Sequence, residues 1–175
     1  MRSERRAAAL AAVMALAASL APAELVERVV AVVDGRALCL SDVRAVEQLD
    51  GVGRDVALGR LVDETLLFHE AFRLPQAALA ENDGADGDAA VRRARQRRAV
   101  IRRYVDFRFR PQVRIEDEAV RQAYALGSTA DPAGADFDRA APALRERLVS
   151  AEVARRVEEW LRDLRAAARI RYNPD

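Results

Sequence analysis

The residues that could take part in catalysis are few, and their spacing matches no catalytic motif. His69 is the single histidine, and no Gly-flanked Ser motif accompanies it, although nucleophilic catalysis needs a nucleophile beside an oriented base. Gly51-Val52-Gly53 lacks the continuation of a phosphate-binding loop. The acids in Asp63-Glu64 and Glu158-Glu159 are adjacent, and adjacent residues on a helix point to different sides. The sequence therefore predicts a protein that is not an enzyme.

Composition narrows the class of protein further. One cysteine, Cys39, and one histidine exclude a disulfide framework within the chain and a zinc site built from Cys and His clusters. The 175 residues are enough for about one globular domain. The formal net charge is +1, from 29 basic residues, all arginine, and 28 acidic residues. A nearly neutral chain argues against a nucleic-acid-binding protein that works through net charge.

Residues 1–23 have the three parts of a secretory signal peptide. Three arginines within residues 1–6 precede an apolar run over residues 7–20, and Ala21-Pro22-Ala23 matches the A-x-A cleavage pattern. The apolar run is shorter than the ~20 residues that a membrane-spanning helix needs. The sequence therefore predicts export, cleavage before Glu24, and no integral membrane anchor afterwards.

A small sheet is predicted from the two ends of the exported chain. Residues 29–33 (VVAVV) are typical of a buried strand, and Asp34-Gly35 is a strong hairpin signal before a return strand at residues 37–40. Residues 169–172 (RIRY) alternate polar and apolar side chains, as in a short strand. Because a two-stranded hairpin alone is marginal, we expect this last strand to complete a three-stranded sheet.

The rest of the chain is predicted to be helical, so the expected fold class is mainly α. Ser41 is predicted to cap the first helix, and Pro142 to begin the last. His69 lies within the apolar stripe of the second helix and is predicted to be a core residue. The predicted helices cover about residues 41–49, 55–73, 89–110, 116–126 and 142–168.

The last predicted helix has an apolar stripe that changes side. The first half carries its apolar residues, such as Leu144, on one face, whereas Val157 and Trp160 lie on roughly the opposite face. One continuous helix would therefore contact different partners with its two halves. The alternative is a break near Ser150.

Four segments, in their order and spacing, resemble SurA-type periplasmic chaperones. The resemblance covers nearly all of residues 24–175 and implies one periplasmic chaperone domain. Its core helices and hairpin would lie in residues 24–126, and its long C-terminal helix and closing strand in residues 138–175. The segments are ERVVAVVDGRALCLSDV, ALGRLVDETLLFHEAFRL, RRAVIRRYVDFRFRPQVRIEDEAVRQAYAL and LRERLVSAEVARRVEEWLRDLRAAARIRY.

One large difference from that family concerns its catalytic domain. Full-length members carry parvulin-type prolyl isomerase domains, with active-site histidines, between the acidic helix and the long C-terminal helix. Here residues 127–137 form only a loop at that position, and a parvulin domain needs on the order of 100 more residues. The acidic loop at residues 81–88 also replaces helix that relatives have there. The resemblance therefore implies a chaperone core without isomerase activity.

The resemblance further implies that unfolded or outer-membrane polypeptides bind in a cradle between the core helices and the long C-terminal helix. Apolar contact would supply affinity, and backbone hydrogen bonds would supply sequence tolerance. For Leu67, Phe107 and Trp160 the alternative is ordinary core or helix–helix packing. The candidate polypeptide-binding residues are Leu67, Phe72, Tyr104, Phe107, Trp160 and Leu164.

Two other functions are compatible with the same sequence. In the first, a dedicated partner, or a homodimer formed by exchange of the C-terminal helix, covers the apolar surfaces permanently, and the role is structural. In the second, the arginine-rich helix at residues 89–110 binds an anion. The ordinary interpretation of that helix is a solvated face whose arginine stems cover apolar surface and whose charges pair with acids. No cofactor, metal or nucleic acid is expected.

Overall fold

The computed structural model describes residues 27–73, 88–127 and 136–173. The predicted signal peptide with its Ala21-Pro22-Ala23 sequence lies outside the described residues, as do nearly all of the acidic loop and most of the loop before the last helix. None of the helices within these ranges combines the length and apolar character of a membrane span. The elements in these ranges are β1 (Val29–Val33), β2 (Arg36–Cys39), α1 (Leu40–Asp50), α2 (Arg54–Ala71), α3 (Ala89–Phe109), a 3₁₀ turn (Arg110–Gln112), α4 (Asp117–Ala125), α5 (Phe137–Ala167) and β3 (Ile170–Tyr172).

The three strands form one antiparallel sheet in the order β2-β1-β3. The hairpin turn has positive φ at both central residues, 46° at Asp34 and 84° at Gly35, which matches the twist of the two strands it joins. β3 pairs with β1 so that Ile170 lies opposite Val33, and the Asp34 N–H donates to the Arg169 carbonyl at 3.0 Å. The predicted mainly α fold and the sheet completed by the C-terminal strand are both confirmed.

The core lies between the sheet and the helices α1 and α2. Val33, Val46 and Leu61 are among its fully buried side chains. The C-terminal half of α5 adds Leu161 and Leu164 to this core. The hairpin is therefore held to the segment of α5 and β3 by apolar packing as well as by strand pairing, and β2 lies beside α2.

Two helices begin earlier than predicted. α1 begins before Ser41, so the hydroxyl caps nothing, and the Ser41 N–H donates instead to Glu27 Oε1 at 3.1 Å. α5 begins at Phe137, so Pro142 lies inside the helix. The Phe137 ring packs edge-on against Tyr124 of α4, with centroids 5.4 Å apart. This tertiary contact stabilises the helical residues before Pro142, where helix propensity alone would not maintain a helix.

Helix α5 is continuous over 31 residues, so a break near Ser150 does not occur. Its N-terminal half packs against α4, and its C-terminal half packs against α2 and α3. Arg145 pairs with Asp117 in the first half, whereas Arg165 pairs with Asp63 in the second. The apolar stripe changes side because the two halves contact different helices.

Candidate functional site

The six predicted polypeptide-binding residues divide into buried and exposed groups. On α2, Leu67 is only 8% exposed, because this helix is covered on two sides. His69 on the same helix is exposed, so its predicted place in the core is wrong. Tyr104 on α3 is 5% exposed, whereas Phe72 and Phe107 are 51% and 61% exposed. Of the four, Phe72 and Phe107 therefore offer the free apolar surface.

Trp160 and Leu164 pack within the fold along the C-terminal half of α5. The Trp160 ring centroid lies 5.9 Å from that of Tyr104 and 5.5 Å from that of Phe109. The Arg108 guanidinium lies over the same indole at 4.9 Å. Leu164 packs against the core between the sheet and α2. Both residues, like Tyr104, thus join α5 to the rest of the molecule.

A groove of about 420 Å³ lies between β2, α2 and α3, and we call it the β2–α2–α3 groove. Leu38, Leu61 and Val100 form a buried apolar floor. Phe68 and Phe72 form one wall, with their ring centroids 4.6 Å apart in an edge-to-face arrangement. Of the six predicted residues, Phe72 is the one that lines this groove.

Helices α2 and α3 run in the same direction along the groove. Glu64 contacts Arg97, and further along both helices Ala71 and Tyr104 share one apolar cluster. α2 ends at Ala71, but α3 continues beyond it. Phe107 lies about one turn past Tyr104 on the same face of α3. The exposed Phe107 ring therefore extends the face of α3 that lines the groove.

The rim of the groove is rich in arginine. Arg36 on β2 is exposed and makes no ion pair with the described part of the chain. Arg93 Nη2 lies 3.3 Å from Asp42 Oδ1, and Arg97 Nε donates to Glu64 Oε2 at 2.9 Å. The groove therefore combines an apolar floor, an aromatic wall and a rim with a small excess of positive charge.

Behind this rim, a cluster of ion pairs fixes α3 against α1 and α2. Arg98 donates to Glu64 Oε1 at 2.6 Å and to Asp50 Oδ1 at 2.7 Å, and Arg60 donates to Asp50 Oδ2 at 2.6 Å. The hydrogen bond from Arg98 lowers the pKa of Asp50, and the same bond raises the pKa of Arg98. The arginines of α3 that face α2 therefore position the helix, and their charge is already compensated.

Sequence reasoning did not single out Phe68 and Arg36, two residues that line the groove. A signal for Phe68 is present, because residues four apart on a helix are neighbours and Phe68 precedes Phe72 by four. No local signal exists for Arg36, because only the folded hairpin brings β2 against α2 and α3. The groove is thus a product of tertiary packing.

The adjacent carboxylates on α2 are taken up by ion pairs with arginine. Asp63 pairs with Arg165 of α5, and Glu64 pairs with Arg97 of α3, so the two acids point to different sides of α2 as predicted. Within residues 27–73, 88–127 and 136–173, no group of three or more His, Cys, Asp and Glu side chains could hold a metal ion. These carboxylates hold helices together.

Comparison with known proteins assigns no family. No protein-family model matches the sequence, and no curated protein is significantly similar to it. The side chains and geometry of the groove, together with the sequence pattern, are therefore the basis for assigning a function.

Proposed function

We propose that this protein is an exported, non-catalytic chaperone of the SurA type that binds unfolded or outer-membrane polypeptides and lacks an isomerase domain. Support comes from the order of the four SurA-like segments and from the signal-like residues 1–23, which direct the protein to the periplasm. The observation that carries the function is the β2–α2–α3 groove, where the half-exposed Phe72 ring stands beside an apolar floor.

Binding in this groove depends on apolar contact and is weak and reversible. Phe68 and Phe72 offer aromatic surface above the buried floor, and burial of apolar surface contributes about 25 cal/mol per Å². Ordering an unfolded chain opposes much of this gain. A groove of about 420 Å³ accommodates a few side chains of a client at a time. Such contact suits brief capture of many different sequences.

The direct test is suppression of aggregation. A denatured outer-membrane protein is diluted into buffer with the purified protein, and light scattering reports both client aggregation and the mass of the chaperone. We expect suppression at a near-stoichiometric ratio, because each groove captures one client segment. A well-folded protein that leaves the aggregation curve unchanged would contradict the proposed function.

Matched variants locate the activity on the surface. Phe72→Asp places a charge on the wall of the groove and should abolish most of the suppression. Phe107→Asp tests whether the client contact continues along α3 past the end of α2. Leu126→Asp is the control, because Leu126 is 82% exposed just after α4 and lies outside the groove. An equal loss of aggregation suppression in Phe72→Asp and Leu126→Asp would assign the activity to a surface other than the groove.

A second candidate function is a structural or assembly role, and helix α5 favours it. Over its 31 residues only Leu144 and Val153 are buried, so most of the helix surface is open to another chain. A concentration-independent dimer that ignores unfolded clients would support this role. A monomer in the same light-scattering measurement would contradict assembly through a homodimer.

A further inference from the structure

Strand β2 borders the groove and is also an edge strand of the sheet. β1 pairs with one of its edges, and no strand in the described ranges pairs with the other. Arg36, Ala37 and Leu38 of β2 all line the groove. An open strand edge and an apolar floor therefore lie side by side.

The main-chain N–H and C=O groups of Ala37 point sideways from β2 at its unpaired edge. In a two-residue hairpin the residues flanking the turn, here Val33 and Arg36, form a hydrogen-bonded pair. The N–H and C=O groups of successive residues point to alternate sides of a strand, so those of Ala37 point away from β1. The alternation is visible on β1, where the Val30 carbonyl turns to the β3 side and accepts from the Asn173 N–H at 2.9 Å.

The side chains of β2 alternate between the two faces of the sheet. Leu38 is buried in the core that faces α2, and Arg36 projects from the same face because it is two residues away. In a strand added at the open edge, a residue beside Leu38 would lie over the apolar floor. A residue beside Arg36 would meet a guanidinium that has no ion-pair partner in the described part of the chain.

We propose that the groove binds extended polypeptide segments by adding them as an antiparallel strand to β2. This mode of binding rests on the polypeptide-binding function proposed above. The segment residue opposite Ala37 exchanges two main-chain hydrogen bonds with it. Because the added strand runs opposite to β2, the preceding residue lies beside Leu38 and the following residue lies beside Arg36. The substrate class is therefore extended segments with the pattern apolar-x-acidic.

Charge complementarity favours a client segment over a second copy of this chain. If β2 of another copy were added, its order Arg36-Ala37-Leu38 would place an arginine beside Leu38 and a leucine beside Arg36. That arrangement puts a charge over the apolar floor and leaves the rim arginine without an acid. The groove therefore fits an acidic client strand better than it fits β2 itself.

Two labelled eight-residue peptides of identical composition test this pattern. One has Leu-Thr-Glu at its centre and the other has Glu-Thr-Leu, and fluorescence anisotropy measures their binding to the full chain at low salt. We expect the Leu-Thr-Glu peptide to bind about tenfold more tightly, because its leucine lies over the apolar floor and its glutamate meets Arg36, whereas the reversed peptide loses both contacts. N-methylation of the central threonine removes a backbone donor and should weaken binding by about fivefold.

A charge-reversal variant ties the preference to the rim. The unchanged protein should bind Leu-Thr-Glu more tightly than a Leu-Thr-Arg peptide, and Arg36→Glu should reverse this order. Arg95→Glu is the control, because Arg95 is exposed on the far side of α3 and does not line the groove. A preference that Arg36→Glu leaves unchanged would overturn the proposed register.

The outcomes separate this inference from the proposed function. If the protein suppresses aggregation but binds both peptides equally, with no effect of N-methylation, strand addition is excluded and the chaperone function stands. If it neither suppresses aggregation nor binds a peptide, both fail. If Ala37→Pro, which removes an outward N–H, abolishes self-association of the protein instead of peptide binding, the edge pairs with a second copy and the inference is overturned.

Discussion

The two halves of α5 belong to regions that are stabilised in different ways. Its C-terminal half closes the core, where the sheet, α1 and α2 bury a continuous apolar cluster. Its N-terminal half, residues 137–150, pairs with α4 to form what we call the helical arm. The buried side chains of the helical arm are Val120 and Leu144. One helix therefore belongs to a well-packed region and to a sparsely packed one.

Polar contacts hold the helical arm where apolar contacts are few. Arg145 pairs with Asp117, and Arg110 pairs with Glu146, and each of the four side chains is at least 42% exposed. Exposed ion pairs contribute little because water competes with them. In the core, Glu64 and its arginine partners are largely shielded from water. The same pairing of arginine with acid therefore fixes helices in the core and mainly orients them in the helical arm.

Replacing Leu66 by alanine, in the well-packed core, should have the largest effect on stability. Leu66 is buried in the core cluster, so Leu66→Ala removes apolar contact and leaves a cavity, at a cost of about 3 kcal/mol in the free energy of unfolding. Urea unfolding followed by circular dichroism measures the change. Leu126→Ala, on an exposed side chain, should change it by less than about 0.5 kcal/mol. Similar losses in both variants would contradict a core centred on α2.

Neutralising Glu64 should have the next largest effect. Glu64→Gln leaves Arg97 and Arg98 facing a neutral amide in a shielded place, and we expect a loss of about 2 kcal/mol after allowing for partial solvent access. The same urea titration measures it. Glu158→Gln on the exposed surface of α5 is the matched control. An unchanged midpoint in Glu64→Gln would show that the ion-pair cluster does not hold α3 in place.

Replacing Leu144 by alanine should loosen the helical arm alone. Because the arm buries few side chains, Leu144→Ala should reduce global stability by only about 1 kcal/mol and should open the arm locally. Hydrogen exchange should become faster in residues 117–125 and 137–150, while β1 and α2 keep their protection. Faster exchange throughout the chain would instead make the arm part of one cooperative unit.

Acid should weaken the core through Asp50. Its pKa is lowered in the folded state by the hydrogen bond from Arg98, so its contribution is complete above the ordinary value near 3.8 and is lost as pH falls through the folded value. The thermal unfolding temperature should therefore decrease as the pH is lowered below about 4. The unfolding temperature of Asp50→Asn should decrease less at low pH, because the variant lacks the Asp50 carboxylate. Parallel curves of unfolding temperature against pH for the two proteins would assign the acid-dependent loss of stability to other groups.

Much of the fold could be predicted because its signals are local. The Asp34-Gly35 turn needs positive φ at two positions, and few residue pairs other than Asp-Gly or Asn-Gly supply it. The β-branched run before it and the apolar spacing of the helices follow the same local rule. The start of α5 was not predictable in this way, because Phe137 is held in the helix by a ring contact with Tyr124.

The candidate site was only partly predictable for the same reason. Phe72 was identified from its apolar character, but the same criterion also selected Leu67 and Tyr104, which the fold buries. Helical spacing states which residues share a face, but not which face another element covers. Arg36 is far from α3 in the sequence and joins the groove through the hairpin alone.

The sequence by itself determined the helices, the hairpin and the strand that closes the sheet, because turn geometry and hydrophobic periodicity act over a few residues. The tertiary structure alone decided which aromatic side chains stay exposed and where the arginines find acids. It also placed the open edge of β2 beside an apolar floor on α2 and α3. Those features depend on contacts between distant segments, which no local pattern encodes.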